Sequence, residues 1–213
     1  MAAAAADPGT AKALTHLRKA SPEMKELIRR VGPFRMVVEP RPPFQALVSA
    51  IAHQQLHGKA AAMILGRFHA LFGDRPPYPE DFLHLQEEDF RAVGFSRAKT
   101  AALIDLAAKT RAGIVPELEE IAGMSDAEII ARLVQVRGIG KWTVEMMLMT
   151  TLGRPDVWPV DDFGVRAGWK ALHGLEAMPT PKELEAAGEI FRPYRSYAAW
   201  YLWRAAELAK GAG

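Results

Sequence analysis

Helical spacing of the apolar residues is the feature that most constrains this fold. Apolar side chains recur three and four positions apart through most of the 213 residues, while the Val/Ile alternation typical of strands is scarce. The pattern predicts an all-α protein. Ser, Asp or Pro stands at most of the predicted starts. The predicted helices span residues 10–20, 22–31, 43–55, 58–72, 79–85, 87–93, 96–112, 116–122, 125–136, 140–152, 161–173, 181–190 and 196–210.

A glycine-elbowed helical hairpin is predicted over residues 133–150. In Gly138-Ile139-Gly140 the two glycines permit a positive-φ backbone and a close approach that a Cβ would obstruct. The following run KWTVEMMLM reads as a helix whose first amides point into the elbow. Such an elbow binds anions through backbone N–H groups. The alternative is an ordinary tight turn between two core helices.

A proline-led loop follows the hairpin and ends in two carboxylates. It begins at Gly153 and reaches Asp161 and Asp162, before a helix expected to start near Phe163. We treat residues 153–166 as the candidate catalytic loop. The alternative is that both carboxylates only cap the helix.

These segments, in order, resemble one family of DNA repair enzymes. The hairpin VRGIGKWT, the loop GRPDVWPVDD, the later RPYRSYAAWYLW and the upstream FQALVSAIAHQQLHGKAA are similar to the helix-hairpin-helix, Gly/Pro-rich loop, aspartate superfamily of DNA glycosylases, in its AlkA-like 3-methyladenine DNA glycosylase II branch. The resemblance runs from about Phe44 to Trp203. It implies two helical lobes around a cleft, double-stranded DNA containing damaged bases as partner, and excision of a flipped base.

The resemblance assigns the catalytic carboxylate to this loop. The family's Pro-Asp-Asp context places it at Asp162, whereas counting from endonuclease III-like members favours Asp161, so Asp162 ranks first and Asp161 second. Breaking the N-glycosidic bond leaves positive character on the deoxyribose. An ionised carboxylate can stabilise this charge, or it can orient the water that attacks the sugar. The other carboxylate is expected to cap the following helix.

The hairpin also predicts the absence of lyase activity. In endonuclease III-like relatives a lysine two residues after the second glycine attacks the sugar, and here that position is Trp142. Indole cannot form a Schiff base, so a monofunctional enzyme that leaves an abasic site is expected. Lys141 lies about 100° away around the helix and is expected to meet phosphate.

Family positions also suggest a base pocket and a wedge. Trp142 and Trp203 match pocket tryptophans, whose rings attract a cationic alkylated base, and Met146 stands where the family can have tyrosine. The alternative for each tryptophan is an ordinary core side chain. Leu56 matches the residue that fills the vacated stack, although it could also be an ordinary core residue. Gln54 or Gln55 is expected to contact the opposite base or the pocket.

The remaining candidates are ions and further DNA contacts. His53 and His57 share helical spacing, but no third ligand is evident, so no zinc or other metal site is predicted. No cofactor is expected to be required, although backbone carbonyls near residues 136–139 could hold Na⁺ or K⁺, as in relatives. The candidate DNA contacts are Gly138, Ile139, Gly140, Lys141, Thr143, Lys59, Arg97, Lys99 and Arg166.

Composition narrows the class without deciding it. Lys and Arg number 27 against 25 Asp and Glu, a net charge of only +2, so attraction to phosphates must come from local placement. Cys is absent, which excludes disulfides and the iron–sulfur cluster of some relatives. Residues 1–9 are expected to be a disordered tail, and residues 10–213 a helical core without the β-rich domain that precedes it in some AlkA-like enzymes. A cytoplasmic monomer is expected.

Three functions remain open at this point. The first is an alkylpurine glycosylase, which uses the most residues. The second keeps the fold but acts on uracil, hypoxanthine or an oxidised purine, which calls for an additional hydrogen-bond donor or acid that the sequence does not reveal. The third is a non-catalytic hairpin module that binds DNA, against which the tandem aspartates argue.

Overall fold

The structure is a computed structural model that describes residues 8–56 and 58–211, and within them it is helical, with no β-strand. The all-α prediction is confirmed. The α-helices of the described residues are α1 Pro8–Ala20, α2 Pro22–Val31, α3 Pro43–His53, α4 Gly58–Ala70, α5 Glu87–Val93, α6 Arg97–Arg111, α7 Leu118–Ala122, α8 Asp126–Leu133, α9 Lys141–Thr150, α10 Phe163–His173, α11 Pro181–Gly188 and α12 Arg195–Gly211.

Several helices are shorter than predicted because the polar residue at the start is a cap rather than the first helical residue. Ser96 and Ser125 each have extended backbone and accept a hydrogen bond from an N–H in the first turn. The segment predicted as helix 79–85 is a 3₁₀ helix, Pro79–His84. Helix α1 begins at Pro8, inside the range predicted as a tail. Residues 1–7 of that range lie outside the described residues.

The chain divides into two compact units. Unit 1 comprises residues 1–38 and 153–213, and unit 2 comprises residues 39–152. In the part of the chain that the structure describes, no helix is both long enough and apolar enough to cross a membrane.

Unit 1 packs α10 directly against α12. A Cβ on Gly168 of α10 would lie 1.9 Å from the carbonyl oxygen of Leu202, so only glycine allows this approach of the two backbones. The neighbouring Tyr201 is fully buried, and its hydroxyl donates to the Gly32 carbonyl at 2.9 Å. Burial raises the pKa of Tyr201 to about 12. The α10–α12 contact fixes the helix that carries Trp203.

Unit 2 has an aromatic core between α4, α5 and the 3₁₀ helix. The Phe68 ring contacts the rings of Phe82, Phe90 and Phe95 at centroid distances of 5.8, 5.6 and 5.2 Å. A backbone hydrogen bond joins the two ends of the unit, because the Glu39 N–H donates to the Thr150 carbonyl at 2.8 Å. The elements of this core pack against α3 and α6.

Candidate DNA-binding and catalytic site

The predicted hairpin lies between α8 and α9 in unit 2. Gly138 has φ +77°, in the left-handed region that favours glycine, as expected from the sequence. Gly140 does not use the positive φ that glycine permits: its φ is −97°, and it is the extended N-cap of α9. Ile139 is buried, 4% exposed, so this side chain anchors the turn and leaves only its backbone for an external ligand.

Side chains from α3 and α6 hold the hairpin backbone. The Gln54 side-chain amide donates to the Gly138 carbonyl at 2.9 Å. One Asp105 oxygen accepts from the Arg137 N–H at 2.7 Å and from the Lys109 ammonium at 2.9 Å. The same ammonium donates to the Gln135 carbonyl. The sequence interpretation missed Asp105 and Lys109, although their spacing of four residues in α6 indicates a helical ion pair.

The Asp105 contact makes the hairpin sensitive to acid. Burial acts to raise the pKa of Asp105, but the hydrogen bond from the Arg137 N–H, together with Lys109, outweighs it and holds the pKa below its usual value. The stabilisation from ionised Asp105 is therefore full at neutral pH and is lost as pH falls through the lowered pKa, below about 4. We expect Asp105→Asn to melt at a lower temperature than wild type at pH 7. The difference in melting temperature between the variant and wild type should become smaller towards pH 3. A difference that stays constant from pH 7 to pH 3 would contradict the role given to ionised Asp105.

The segment between α3 and α4 carries the wedge candidate. Leu56 is 40% exposed and does not belong to the core. The preceding Gln55 has φ +57°, which is uncommon for a residue with a side chain and recurs at functional sites. The residue after Leu56, His57, lies outside the described residues.

His53, the other histidine of the pair considered for a metal site, donates a hydrogen bond from Nδ1 to the Ser49 carbonyl at 2.8 Å. Among the described residues no group of three or more His, Cys, Asp or Glu side chains could hold a metal ion.

A cavity of about 670 Å³ lies within unit 2, between α3, the start of α6, the hairpin and α9. It is lined by two predicted pocket residues, Trp142 and Met146. Trp142 is 46% exposed, which excludes a core role for this indole. Thr143, predicted to contact DNA, also lines the cavity but is buried, 7% exposed. Its side chain therefore supports the cavity wall.

Lys99 lines the same cavity rather than standing on the surface. Its ammonium donates to the Ala52 carbonyl at 2.8 Å, and burial lowers its pKa. An ammonium has three N–H donors, so it can bind a further acceptor within the cavity. The structure thus supplies a hydrogen-bond donor that the sequence did not reveal.

The other predicted phosphate contacts differ in how available they are. Lys59 and Arg97 are exposed in unit 2. Lys141 is half exposed and lies 3.4 Å from the carboxylate of Glu145. In unit 1 the Arg166 guanidinium donates to the Pro179 carbonyl at 2.9 Å. Arg166 thus holds the segment after α10, and its remaining N–H groups are what it can offer to phosphate.

The candidate catalytic loop is anchored to the start of α12, all within unit 1. Arg195 is 9% exposed at its side chain, and its guanidinium donates to Asp156 Oδ1 at 2.8 Å, to Asp156 Oδ2 at 3.1 Å and to the Asp156 carbonyl at 3.1 Å. Ser196 accepts from the Val157 N–H at 2.9 Å and donates to the Arg154 carbonyl at 2.6 Å. The loop is therefore held at several consecutive residues.

Asp162 lies at the end of this loop as the N-cap of α10. Its Oδ1 accepts from the Val165 N–H at 2.7 Å and from the Trp203 indole N–H at 2.8 Å. Asp162 is 8% exposed, whereas Asp161 is exposed. The prediction that Asp161, the other carboxylate, would cap the helix is wrong. Asp162 does so itself, because it directly precedes Phe163 and its short side chain reaches the N–H three residues on.

Phe163 is a further residue that the sequence interpretation missed. It is the first residue of α10, next to Asp162, and is 62% exposed. Its position beside the carboxylates was visible in the sequence, but its exposure was not. An exposed aromatic ring beside the candidate carboxylate offers a surface on which a base can stack.

Comparison with known proteins agrees with this geometry. Residues 48–193 match the model of the HhH-GPD superfamily of base excision DNA repair proteins. DNA-3-methyladenine glycosylase 1 of Schizosaccharomyces pombe is 41% identical over 201 residues, which cover 93% of this chain and 88% of that protein.

Two solved structures are similar to this one. A 3-methyladenine DNA glycosylase from the same yeast in complex with abasic DNA has a TM-score of 0.83 at 41% identity, covering 93% of this chain and 98% of the other. A DNA-3-methyladenine glycosidase from Bacillus halodurans has a TM-score of 0.86 at 32% identity, covering 97% and 92%. With a family match over most of its length and a relative of this identity, the chain belongs to the HhH-GPD superfamily of base excision DNA repair proteins.

Proposed function

We propose that this protein is a monofunctional DNA glycosylase that flips alkylated bases such as 3-methyladenine out of duplex DNA. It hydrolyses the N-glycosidic bond and leaves an abasic site for base excision repair. The observation that carries the proposal is the Asp162 carboxylate, nearly buried and hydrogen-bonded at the end of an anchored loop. The relatives named as 3-methyladenine glycosylases support the choice of substrate.

In the proposed reaction Asp162 acts on the sugar. As the bond to the base breaks, positive charge develops on the deoxyribose, and an ionised carboxylate held in place stabilises it without reorganising. The same carboxylate can orient the attacking water. An alkylated purine that already carries a positive charge leaves as a neutral base, so no strong acid is needed to protonate it.

DNA contacts are proposed for unit 2. Backbone N–H groups at Gly138 and Gly140 and the exposed side chains of Lys59 and Arg97 would hold phosphates. Leu56 would fill the gap left by the flipped nucleotide. The exposed Trp142 ring would attract the cationic base.

No cofactor is required in this proposal, because both catalysis and base recognition use side chains. A monovalent ion is compatible with the hairpin. The carbonyls of Val136 and Gly138 each accept one hydrogen bond, from the Ile139 N–H and from Gln54, and a carbonyl oxygen has two lone pairs. Residues 136–139 could therefore hold Na⁺ or K⁺ through backbone oxygens. We further propose that the protein acts as a monomer.

The test of the proposed function is release of 3-methyladenine from alkylated duplex DNA by the purified protein. We expect free base to appear with intact strands, and strand breaks only after alkali is added. Undamaged duplex serves as the control. If no base is released, duplexes with uracil, hypoxanthine or an oxidised purine are tested next, and failure on these too would leave a DNA-binding module only.

Absence of lyase activity is a separate expected outcome. The Trp142 indole has no amine to attack the sugar, so borohydride added during turnover should trap no covalent protein–DNA complex. A glycosylase that carries the lysine would be the positive control. A trapped complex would instead point to Lys141, and its loss in Lys141→Gln would establish that.

A second substrate class is favoured by one observation. The Lys99 ammonium shares the cavity with Trp142 and can donate to an acceptor on a neutral base. Neutral bases such as hypoxanthine or uracil need such a donor because they leave less readily. Release of hypoxanthine or uracil from duplexes that carry these bases tests the alternative. If wild type releases them, Lys99→Met should no longer do so but should still release 3-methyladenine.

A further inference from the structure

Trp203 forms a direct hydrogen bond with the candidate catalytic carboxylate. Its indole N–H donates to Asp162 Oδ1 at 2.8 Å, and the same oxygen accepts from the Val165 N–H at 2.7 Å. With two donors on Oδ1, one from a helix N-terminus and one from another helix, the carboxylate plane has little freedom to rotate. The position of Oδ2 is therefore set as well.

The indole itself is held in place by the glycines of α10. A Cβ on Gly164 would lie 2.7 Å from Trp203 Cδ1 and 3.1 Å from Asp162 Oδ1, so the ring edge occupies the space that any other residue would fill. One turn later, Gly168 lets the α12 backbone approach. These glycines are the reason that a residue of α12 can reach the first turn of α10.

The chemistry of indole suits this task. Its N–H is a donor only, and it does not exchange its proton with a carboxylate under ordinary conditions. It therefore fixes the carboxylate while leaving the ionised form intact. A lysine or arginine at the same place would add a positive charge beside the position where the sugar becomes positive.

We propose that Trp203 is a positioning residue for Asp162, and that its principal contribution to catalysis is the indole N–H rather than stacking on the base. The inference rests on the proposed role of Asp162. It differs from the pocket-wall role that the resemblance implies for this tryptophan, and the two roles predict different kinetics.

The experiment compares Trp203→Phe, Asp162→Asn, the double variant and Gly164→Ala on alkylated duplex DNA under single-turnover conditions. Trp203→Phe keeps an aromatic ring but removes the donor. We expect its rate of base release to fall about 10- to 100-fold, as expected for a misplaced catalytic group, with the affinity for DNA unchanged. Gly164→Ala keeps both side chains but displaces them, and it should show the same loss in rate. Melting temperatures check that each variant is folded.

The double variant separates the two roles. If Trp203 acts through Asp162, Trp203→Phe causes no further loss in the Asp162→Asn background. A further loss there with weakened DNA binding would overturn the inference in favour of a pocket wall, and so would a wild-type rate for Trp203→Phe. Wild-type activity of Asp162→Asn would instead refute the catalytic role of Asp162 itself, and the inference would then fall with it.

Discussion

Asp162→Asn is expected to lower the rate of base release at least about 100-fold while leaving the protein folded. The carboxylate supplies a negative charge where positive charge develops in the transition state, and loss of one such electrostatic contact has effects of this order. Asparagine caps a helix about as well as aspartate, so the hydrogen bond to the Val165 N–H can persist. The rate of base release under single turnover measures the loss of activity, and the melting temperature shows whether the variant is folded.

Asp161→Asn is the matched control for this prediction. Asp161 precedes Asp162 but is exposed and is not the N-cap of α10. We expect it to retain nearly full activity. The reverse result, with Asp161→Asn inactive and Asp162→Asn active, would move the catalytic assignment by one residue.

Arg195→Met is expected to destabilise the protein by about 3 kcal/mol, because it removes the nearly buried partner of Asp156 and leaves that carboxylate with Arg192, whose side chain is 48% exposed. The guanidinium is nearly buried and meets both oxygens of Asp156, which is itself 24% exposed at its side chain. That partial exposure places the expected loss at the lower end of the range for buried pairs. Urea unfolding at pH 7 measures the change. Activity should fall too, because the loop that carries Asp162 loses an anchor.

Arg29→Met is the control for charge removal. Arg29 also contacts a carboxylate, Glu26 at 2.5 Å, but the two side chains are 74% and 52% exposed. Exposed pairs contribute little, so we expect no measurable change in the free energy of unfolding. Similar losses in the two variants would mean that burial of Arg195 does not determine its contribution.

Much of the fold was accessible from the sequence. Helical spacing predicted the helices because each needs an apolar face, and α2 and α5 have the bounds that the pattern gave. The hairpin was accessible because only glycine is comfortable at the φ of Gly138. Errors at helix ends, as at Ser125, came from counting the cap as part of the helix.

The side-chain contacts within the candidate site were less accessible. The Arg195–Asp156 pair joins residues far apart in sequence, and no local pattern announces it. The same is true of the Trp203–Asp162 hydrogen bond, which depends on how closely α12 approaches α10. Lys99 and Arg97 are both basic residues near the start of α6, yet one lines a cavity and the other is exposed. Tertiary packing decides such cases.

The division of the chain has a consequence for the order in which the protein becomes functional during synthesis. Unit 2 is one continuous stretch, so all of its residues are synthesised before residues 153–213 of unit 1. Helix α12, which supplies Arg195 and Trp203, emerges last. A nascent chain can therefore complete the proposed DNA-binding hairpin before the residues that fix Asp162 have been made.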